Sequence, residues 1–498
     1  MHRLLSYSVL SLFGAGLLSV ASAEDWPGFR GPGSAGIAST SIPLEWSKDK
    51  NVAWKVTIPG VAWSSPIVWG DKVFVTTAVT ENQRKPSAGG GGMGRPGGGG
   101  VPPRKEGGGG GQPPGKGGAG GYGRNPQPPN QTYRWVVLCL DKNTGKELWK
   151  QTALEAKPRI PTHGSNTYAS ETPVCDDERI YVYFGMMGVF CYDLAGKELW
   201  KKDLGVFPMQ MGWGTASSPV LDGDKLYLQI DNEKQSFLVA LDKKTGNEVW
   251  KVDREEKTNW GSPIIWKNSQ RSELVTLGAR KVRSYDPATG KVLWEMNNGN
   301  GRVCFTPVAH GDTLYVGSSP GMGGGGGMRG GPPKEGAKDD DQPPAGGRGG
   351  MGGGSGGGLY AIKAGASGEI SVKPGESGPG VLWSVARGGL EMASPVVHEG
   401  YLYVFARNGG VVTCLDAKTG KQQYRERLPG AKSFWASPWA SGGKVYGLDD
   451  GGTTFVLQAG PEFKVLSKNT LDEMFWASSA ISDGSVFLRS VDHLYCIK

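Results

Sequence analysis

Large side chains recur at one fixed position in this sequence, three residues before the proline of a repeated Ser/Thr-Pro pair. The residues at this position, or slightly upstream of it, are Trp63, Tyr168, Trp213, Trp260, Met392, Trp435 and Trp476. Aromatic rings gathered around one opening form a concave apolar surface, and a few polar groups beside them would orient a ligand. Such a site suits a planar cofactor, a sugar or a loop of a partner protein.

Polar side chains that could complete this site stand close to the aromatic residues in the sequence. The candidates are His163, Asn166, Glu171, Arg302 and Glu391. A competing interpretation is that the rings only plug a channel or pack between strands, because tryptophan is a common core residue. The residues alone leave both interpretations open. Neither interpretation predicts a catalytic residue or a metal ligand.

Signatures of common catalytic and metal chemistry are missing from the sequence. It contains no Cys-x-x-Cys-His for covalent haem and no His-Glu-x-x-His for zinc, and its 5 histidines form no cluster with zinc-ligand spacing. The net charge of +8 is spread over 55 basic and 47 acidic residues without a block of like charge. We therefore expect no nucleic-acid partner.

One repeated unit carries these residues, and it is clearest between Gly214 and Trp250. Its Ser/Thr-Pro pair recurs at intervals of roughly 45 residues, the period of a four-stranded propeller blade. The eight copies are Ser65-Pro66, Thr172-Pro173, Ser218-Pro219, Ser262-Pro263, Thr306-Pro307, Ser394-Pro395, Ser437-Pro438 and Ser478-Ser479. They predict an all-β, eight-bladed β-propeller with four-stranded blades.

The unit also predicts where its strands lie. The first strand begins at Ser218 to Val220, the second alternates from Leu226 to Ile230, the third covers Phe237 to Leu241, and the fourth begins at Glu248. First strands of a propeller surround its central channel. The segments that lead into them should therefore converge on one mouth of the channel, together with the candidate binding residues.

The turn into the fourth strand has the most specific pattern, Asp-x-x-Thr-Gly followed by tryptophan. It occurs at Asp141 to Trp149, Asp242 to Trp250 and Asp286 to Trp294, in part at Asp416 to Lys421, and one residue shorter at Asp193 to Trp200. This spacing resembles the repeat of the pyrroloquinoline-quinone (PQQ) type propellers. Both the quinoprotein dehydrogenases and the BamB-type outer-membrane assembly proteins of that family have eight blades. The resemblance spans nearly the whole chain outside two glycine-rich segments.

The resemblance implies that the tryptophans of the repeat are structural and dock each blade on the next. Here these residues are Trp54, Trp149, Trp200, Trp250, Trp294 and Trp383. A large aromatic side chain on an outer strand would bury area between blades, which leads to the same expectation.

Two functions from different classes follow from the resemblance. The dehydrogenases hold PQQ against a tryptophan on the central axis, with a calcium ion, an aspartate base and a disulfide between adjacent cysteines. This sequence has no adjacent cysteines, and no residues could be matched to the calcium ligands. We expect a non-catalytic scaffold or a ligand- or protein-binding module, similar to BamB, that uses no cofactor. The alternative is a PQQ- and calcium-dependent dehydrogenase that acts on alcohols or sugars.

The two ends of the repeat region predict how the ring closes. Asn51 to Lys55 resembles a fourth strand without the other three, and His493 to Ile497 resembles a third strand without a fourth. The N-terminal strand should therefore pair with the C-terminal blade, which removes an exposed sheet edge. Residues 51–498 then form the propeller, and residues 24–50 form an arm that lies on it.

Three segments are predicted to lie outside this fold. Residues 1–23 have the layout of a cleavable secretory signal, with a membrane span as the competing interpretation. No cysteine follows for lipid attachment, so we expect a monomeric periplasmic or secreted protein with no transmembrane segment after cleavage. The glycine- and proline-rich segments at about 83–131 and 320–357 are predicted to be disordered loops between the second and third strands of blades 1 and 5.

Four of the six cysteines occupy the same position of the repeat. Cys139, Cys191, Cys414 and Cys496 align with Ala240, Ser284 and Ala361 in the other copies. We expect small buried side chains there and no disulfide, because free cysteine packs as a small hydrophobic residue. The state of Cys175 and Cys304 stays open at the level of the sequence.

Overall fold

Strands account for nearly all the regular structure in this computed structural model, which describes residues 24–83, 85–86, 126–299, 301–317, 357–386 and 388–498. Within these ranges the helical elements are three short 3-10 helices, Pro32–Ser34, Gly185–Met187 and Gln210–Gly212. None of the helices in the described ranges is long and apolar enough to cross a membrane. The predicted secretory signal and most of the two glycine-rich segments lie outside the described residues.

The strands form eight sheets, and each sheet is one blade built mainly from antiparallel neighbours. The earliest strand, β1 (Val52–Thr57), belongs to the last blade. Blade 1 contains β2 (Ile67–Trp69), β3 (Lys72–Val79), β4 (Tyr133–Asp141) and β5 (Glu147–Ala156). Blade 2 contains β6 (Val174–Cys175), β7 (Arg179–Tyr183), β8 (Val189–Asp193) and β9 (Glu198–Lys202). Blade 3 contains β10 (Val220–Asp222), β11 (Lys225–Ile230), β12 (Ser236–Asp242) and β13 (Glu248–Arg254).

The other five blades repeat this order from the innermost strand outwards. Blade 4 contains β14 (Ile264–Lys267), β15 (Ser272–Leu277), β16 (Lys281–Tyr285) and β17 (Val292–Asn297). Blade 5 contains β18 (Val308–His310), β19 (Thr313–Gly317), β20 (Leu359–Lys363) and β22 (Val381–Val385). Blade 6 contains β23 (Val396–His398), β24 (Tyr401–Phe405), β25 (Val411–Asp416) and β26 (Gln422–Arg427). Blade 7 contains β27 (Trp439–Ser441), β28 (Lys444–Leu448), β29 (Thr453–Gln458) and β30 (Val465–Thr470). Blade 8 contains β31 (Ala480–Ser482), β32 (Ser485–Arg489) and β33 (His493–Ile497) and is completed by β1.

The prediction of an eight-bladed, all-β propeller closed by its N-terminal strand is confirmed. β1 pairs antiparallel with β33, and Trp54 stands opposite Cys496 in this pairing. An ion pair strengthens the closure, because the Lys55 ammonium lies 2.7 Å from the Glu473 carboxylate. The Tyr495 hydroxyl of β33 donates to the same carboxylate. Burial favours the neutral acid, but these hydrogen bonds outweigh it and lower the pKa of Glu473 to about 2.

Blade 4 differs from the prediction because it has a fifth strand. The short β21 (Gly368–Glu369) pairs parallel with β17, with Trp294 opposite Gly368. The Ile370 N–H extends the pairing by donating to the Glu295 carbonyl at 3.0 Å. In blade 5 the Asp-x-x-Thr-Gly turn is replaced by a longer connection between β20 and β22, and this connection reaches the outer edge of blade 4.

The repeated Ser/Thr-Pro pair joins neighbouring blades around the channel. In six cases the backbone N–H of the Ser or Thr donates at 2.9–3.0 Å to the hydroxyl of its counterpart in the next blade. These hydrogen bonds form two series. One runs from Ser65 through Thr172 and Ser218 to Ser262, and the other runs from Thr306 through Ser394 and Ser437 to Ser478. Among the described residues, the Ser65 and Thr306 hydroxyls have no partner. We call this circle of N–H to hydroxyl bonds the hydroxyl ring. It is interrupted between blades 4 and 5 and between blades 8 and 1.

Five of the six predicted docking tryptophans make the same contact with the following blade. The indole Nε1–H donates at 2.9–3.1 Å to a backbone carbonyl in the turn before that blade's fourth strand. The pairs are Trp54 with Lys142, Trp149 with Leu194, Trp200 with Lys243, Trp250 with Pro287 and Trp383 with Ala417. The indole ring also packs on the glycine of that turn, as Trp200 does on Gly246.

Trp294 does not follow this pattern. Its indole Nε1–H donates at 2.7 Å to the Glu273 carboxylate, which lies buried within the same blade. Blade 5 lacks the usual turn, so the carbonyl that the other tryptophans use is not presented to Trp294. The side chain is fully buried.

Gly246 allows a direct test of this docking contact. It has a φ of +70°, and an added Cβ would lie 2.6 Å from the Trp200 ring. Gly223 is the matched control, because its φ is +58° but nothing lies within 4 Å of the Cβ position. Both alanine variants should lose about 1 kcal/mol or more of stability through backbone strain. Gly246→Ala should lose about 1–3 kcal/mol more, because the added methyl group overpacks the interface.

The comparison is made by urea denaturation of the two variants and the parent protein. The midpoint for Gly246→Ala should fall clearly below that for Gly223→Ala. Equal midpoints would show that the Trp200 ring moves aside freely and that its position does not hold blades 2 and 3 together.

All six cysteines are free. Cys139, Cys191 and Cys496 are buried directly opposite the docking tryptophans Trp149, Trp200 and Trp54 on the paired strand. A small side chain at this position leaves room for the indole ring. Cys175 is buried in β6, and its N–H donates to the Pro27 carbonyl of the N-terminal arm.

The N-terminal arm crosses one end of the central channel. Trp26 pairs with Val68 in the first strand of blade 1, and Ile37 pairs with Ala440 in the first strand of blade 7. Between them the buried Arg30 donates at 2.7 Å to the Pro395 carbonyl, which precedes the first strand of blade 6. The arm backbone itself lies near the turns from first to second strands, as the Gly70 and Gly484 N–H groups that donate to Asp25 and Thr40 show. The Arg30 side chain reaches from there to Pro395, and the segments that lead into the first strands lie towards the opposite mouth.

Candidate functional site

The aromatic mouth is formed by the segments that lead into the first strands, and it contains a four-layer stack. Trp435 and Trp476 are stacked with ring centroids 3.9 Å apart and planes 15° apart. Trp63 continues the group at 4.7 Å from Trp476, with its ring plane tilted by 38°. On the other side, the Arg407 guanidinium lies 4.2 Å from the Trp435 centroid. Side chains of blades 6, 7, 8 and 1 thus form one wall of the mouth.

A second aromatic group lies beside the first. Trp213 and Trp260 are stacked at 5.6 Å, and the His163 ring lies 5.6 Å from Trp213. The two groups meet at Ser165, because its carbonyl accepts a hydrogen bond from the Trp63 indole and its hydroxyl bonds to His163 Nδ1. Burial lowers the pKa of His163, which favours the neutral imidazole.

Asn166 holds the second group in place, while Tyr168 lies apart from both. The Asn166 amide donates to the carbonyls of Trp213 and Thr215, at 2.8 and 3.1 Å. The Tyr168 ring packs against Tyr133 of β4, and its hydroxyl donates to the Ile160 carbonyl. Burial raises the pKa of Tyr168. Tyr168 therefore packs on blade 1 and joins neither stack.

Glu171 is the most buried acidic candidate. Burial raises the pKa of its carboxyl group to about 7, although hydrogen bonds from Thr215 and from backbone N–H groups oppose the shift. Two small cavities lie on either side of Thr215, one beside Tyr168 and one beside Gln229. Burial thus disfavours the charged form of the Glu171 carboxyl group.

Glu391 lies beside Arg407, and Met392 follows Glu391 in the segment that leads into blade 6, whereas Arg302 lies near Glu233 of blade 3. Burial raises the pKa of Glu391, and the positive charge of Arg407 opposes the shift. The Arg302 guanidinium lies 4.0 Å from the Glu233 carboxylate and makes no closer ion pair within the described ranges. Met392 is partly exposed at the start of blade 6.

Arg407 and Cys304 are mouth residues that the sequence reasoning missed. Cys304 stands three residues before Pro307, so it occupies in blade 5 the position that Trp260 and Trp435 hold in their blades. The repeat offset could have identified it. Arg407 lies in the hairpin between β24 and β25, and only the folded ring brings it onto Trp435. Burial raises the pKa of the Cys304 thiol to about 12, and the charge of Arg407 again opposes the shift.

Comparison with known proteins identifies the family of this chain. The family model described as outer membrane protein assembly factor BamB matches residues 134–323 and 368–490, more than half of the chain. The chain belongs to this BamB family. The BamB match covers blades 2 to 4, 6 and 7 completely and parts of blades 1, 5 and 8.

Curated relatives of this BamB-family chain have different roles. It is 23% identical over 279 residues to the outer membrane protein assembly factor BamB of Moranella endobia, covering 53% of this chain and 59% of that one. It is 23% identical over 200 residues to the tetrathionate hydrolase of Acidithiobacillus ferrooxidans, covering 36% of each chain. The matches span less than two thirds of either relative.

Solved structures share the fold of this BamB-family chain at low sequence identity. BamB from Moraxella catarrhalis has a TM-score of 0.50 and 12% identity, with 72% of this chain and 90% of that one covered. The quinohemoprotein alcohol dehydrogenase of Comamonas testosteroni has a TM-score of 0.55 and 10% identity, with 95% and 80% covered. Both solved structures therefore share the fold of this chain.

Two tryptophans in the mouth of this BamB-family chain have both faces covered by neighbouring side chains. Trp435 is covered by Trp476 on one face and by Arg407 on the other, and Trp476 lies between Trp435 and Trp63. A planar cofactor would have to displace one of these partners to stack on either ring. In the described part of the chain, no three or more His, Cys, Asp or Glu side chains are grouped to hold a metal ion.

Proposed function

We propose that this chain is an exported, non-catalytic binding module that engages a partner protein at its aromatic mouth. The observation that carries the proposal is the four-layer stack of Arg407, Trp435, Trp476 and Trp63. Packed indoles and a guanidinium present ring edges and a fixed charge, and these side chains are typical of the centres of protein interfaces. Membership of the BamB family supports a protein partner.

The stack also supports binding rather than cofactor chemistry. Each stacked pair contributes about 0.5–1.5 kcal/mol beyond the burial of its area, so the rings hold their positions before any partner arrives. A rigid surface loses little entropy on association. Because the N-terminal arm crosses the other end of the channel, we propose that a partner approaches the aromatic mouth. We propose that the protein works in the periplasm or outside the cell as a monomer without cofactor.

The test is the double variant Trp435→Ala/Trp476→Ala. A photoreactive amino acid placed at Met392 would crosslink the partner in intact cells, and mass spectrometry would identify it. We expect the double variant to lose at least about tenfold of the crosslinked product, because interface tryptophans contribute about 2 kcal/mol or more. The matched control is Leu148→Ala/Leu199→Ala, which removes exposed apolar side chains from outer strands.

Circular dichroism and melting of the tryptophan variant should stay close to those of the parent protein. If the variant unfolds, or if its crosslinks are unchanged, the tryptophans are structural and the mouth is not the binding site. The alternative function, a PQQ- and calcium-dependent dehydrogenase, is examined in the same preparation. Reduction of a dye in the presence of PQQ, calcium and an alcohol or sugar would establish it in place of the proposed function.

A further inference from the structure

The backbone nitrogen of Glu24 is fixed at the seam between blades 8 and 1. It donates to Asp483 Oδ1 at 2.8 Å. The Glu24 carboxylate accepts hydrogen bonds from the hydroxyl groups of Ser39 and Thr40, which belong to the same arm. The Thr40 hydroxyl also accepts a bond from the Gly484 N–H of blade 8. Both the backbone nitrogen and the side chain of Glu24 are therefore held in place.

Asp483 is positioned for this contact by its own turn. It joins β31 to β32 in a two-residue turn with Gly484, and the φ angles of the two residues are +47° and +76°. Aspartate followed by glycine is favoured in such hairpin turns because both positions need a positive φ. The Oδ2 atom of Asp483 lies 2.7 Å from the Lys142 ammonium group, in the turn before β5 of blade 1. Asp483 thus connects blade 8 with blade 1 and presents Oδ1 to the arm.

The peptide bond before Glu24 has the sequence of a processing site. Ala21-Ser22-Ala23 is the small-residue pattern that precedes the cleavage point of a secretory leader. Hydrolysis of the Ala23–Glu24 bond consumes one water molecule and leaves a carboxylate on Ala23. The nitrogen of Glu24 becomes an ammonium group. Its 2.8 Å distance from Asp483 is typical of a bond between a charged nitrogen donor and a carboxylate, about 2.7–2.9 Å.

We propose that Asp483 is the binding site for the α-ammonium group that removal of the leader creates at Glu24. The inference rests on the exported location in the proposed function. The uncleaved chain offers Asp483 a neutral N–H donor, whereas the processed chain offers a charged one. The bond lies at a seam where the hydroxyl ring is interrupted. Processing therefore strengthens the attachment of the arm at the place where the inner hydrogen bonds do not join the blades.

The charges around the nitrogen favour an ammonium group. In the described part of the chain, the charged groups in contact there are Asp483, the carboxylate of Glu24 itself and, through Asp483, Lys142. The Asp71 carboxylate is near enough to Lys142 for their charges to interact. Carboxylates thus outnumber cations at this position. A nearby carboxylate stabilises the charged form of an amine and raises its pKa.

The test starts from protein recovered from the exported fraction of expressing cells. Mass spectrometry should find Glu24 as its first residue. Competitive labelling of the α-amino group between about pH 6 and about pH 10 then gives the pKa of this group. We expect it to titrate at least about 0.5 pH unit above its usual range of about 7.7–8.0, because the Asp483 carboxylate favours the ammonium form.

Two variants and one matched control assign the effect to Asp483. Asp483→Asn keeps the turn and the hydrogen-bond acceptor but removes the charge, so the pKa of the α-amino group should return to its usual range. A chain that begins at Ala23 should show the same return, because its amine is displaced by one residue. Glu399→Gln is the control. Glu399 occupies the same turn position in blade 6, with a φ of +48°, and its loss should leave the pKa of the α-amino group unchanged.

The melting temperature tests the consequence for the arm. Because the pKa of the α-amino group is raised in the folded chain, its contribution to stability is complete below about pH 7.7–8.0. That contribution is lost as the pH rises through the folded-state pKa. The chain that begins at Glu24 should therefore melt at least about 1 °C above the chain that begins at Ala23 at about pH 7, and together with it at about pH 10.

Several results would overturn the proposal. They are an exported chain that begins at another residue, an α-amino group with its usual pKa, and a raised pKa that Asp483→Asn leaves in place. Each of these leaves the crosslinking test at the aromatic mouth untouched. Unchanged crosslinks in the tryptophan variant would refute the binding function and leave the amine site standing. If the chain is not exported at all, the location in the proposed function fails together with the amine site.

Discussion

Removing residues 24–57 should open the ring, with loss of soluble protein or a melting temperature lower by about 10 °C or more. The deletion exposes the whole edge of β33, which β1 covers in the closed ring. It also removes Trp54, whose indole donates to the Lys142 carbonyl of blade 1. Loss of a large buried aromatic side chain alone accounts for about 3–5 kcal/mol. Each kilocalorie lowers the melting temperature by about 2–4 °C in a large domain.

A rearranged chain separates strand pairing from other effects of the deletion. β33 ends at Ile497 opposite Val52, so residues 51–57 can follow Lys498 through a two-residue hairpin turn. A protein that begins at Ile58 and carries this extension should recover much of the lost stability. A simple deletion of 24–50 measures the arm alone. If the 24–57 deletion melts like the intact protein, β1 does not close the ring.

Asp231→Ala should destabilise the protein by about 3–5 kcal/mol, the largest effect expected of a single substitution. Asp231 and Arg254 form an ion pair at 2.8 Å whose side chains are both 0% exposed. Arg254 also donates to the Thr276 hydroxyl at 2.6 Å and the Tyr285 hydroxyl at 2.8 Å. Burial lowers the pKa of Arg254, but the charge of Asp231 outweighs it and the pKa is raised. Without Asp231 a buried cation remains uncompensated.

Two controls show whether the loss comes from the unpaired charge. Asp231→Leu/Arg254→Met removes both charges and should be much closer to the parent in stability, because apolar residues can replace a buried ion pair at little cost. Glu147→Ala breaks the exposed 3.6 Å pair with Lys150 and should change stability by less than about 0.5 kcal/mol. Denaturant unfolding of the four proteins gives the comparison. A double variant as unstable as Asp231→Ala would refute the charge explanation.

The fold could be predicted because the repeat encodes local chemistry that recurs in nearly every blade. Asp242 accepts hydrogen bonds from the Lys244 and Thr245 N–H groups and from the Thr245 hydroxyl, so the sequence Asp-x-x-Thr fixes its own turn. The strand predicted from Phe237 to Leu241 is observed as β12, one residue longer at each end. Turns and alternation depend on near neighbours, and the sequence shows those neighbours directly.

The features that escaped prediction depend on partners distant in the sequence. Trp294 has the expected position in the repeat, but its carbonyl partner is missing because blade 5 has a different connection. Sequence reasoning placed Trp63, Trp435 and Trp476 near one mouth, and they do stack on one another. Sequence reasoning could not supply the orientation of their rings. It therefore left open a planar ligand stacked on these rings, whereas both faces of Trp435 are covered by Trp476 and Arg407. Arg407 reaches that ring from another blade, which no spacing rule indicates.

Because the hydroxyl ring is interrupted at two places, the molecule has twofold rather than eightfold pseudosymmetry. Bonds run unbroken within blades 1 to 4 and within blades 5 to 8, and the unpartnered hydroxyls of Ser65 and Thr306 mark two opposite seams. One seam is bridged by β1 and Trp54, and the other by β21. The connections of blades 1 and 5 that hold the glycine-rich segments stand at equivalent places in the two halves. The ring is therefore a pseudo-twofold pair of four-blade half-rings within a single chain, and each half-ring is held to the other by strand and tryptophan contacts instead of by the inner hydrogen bonds.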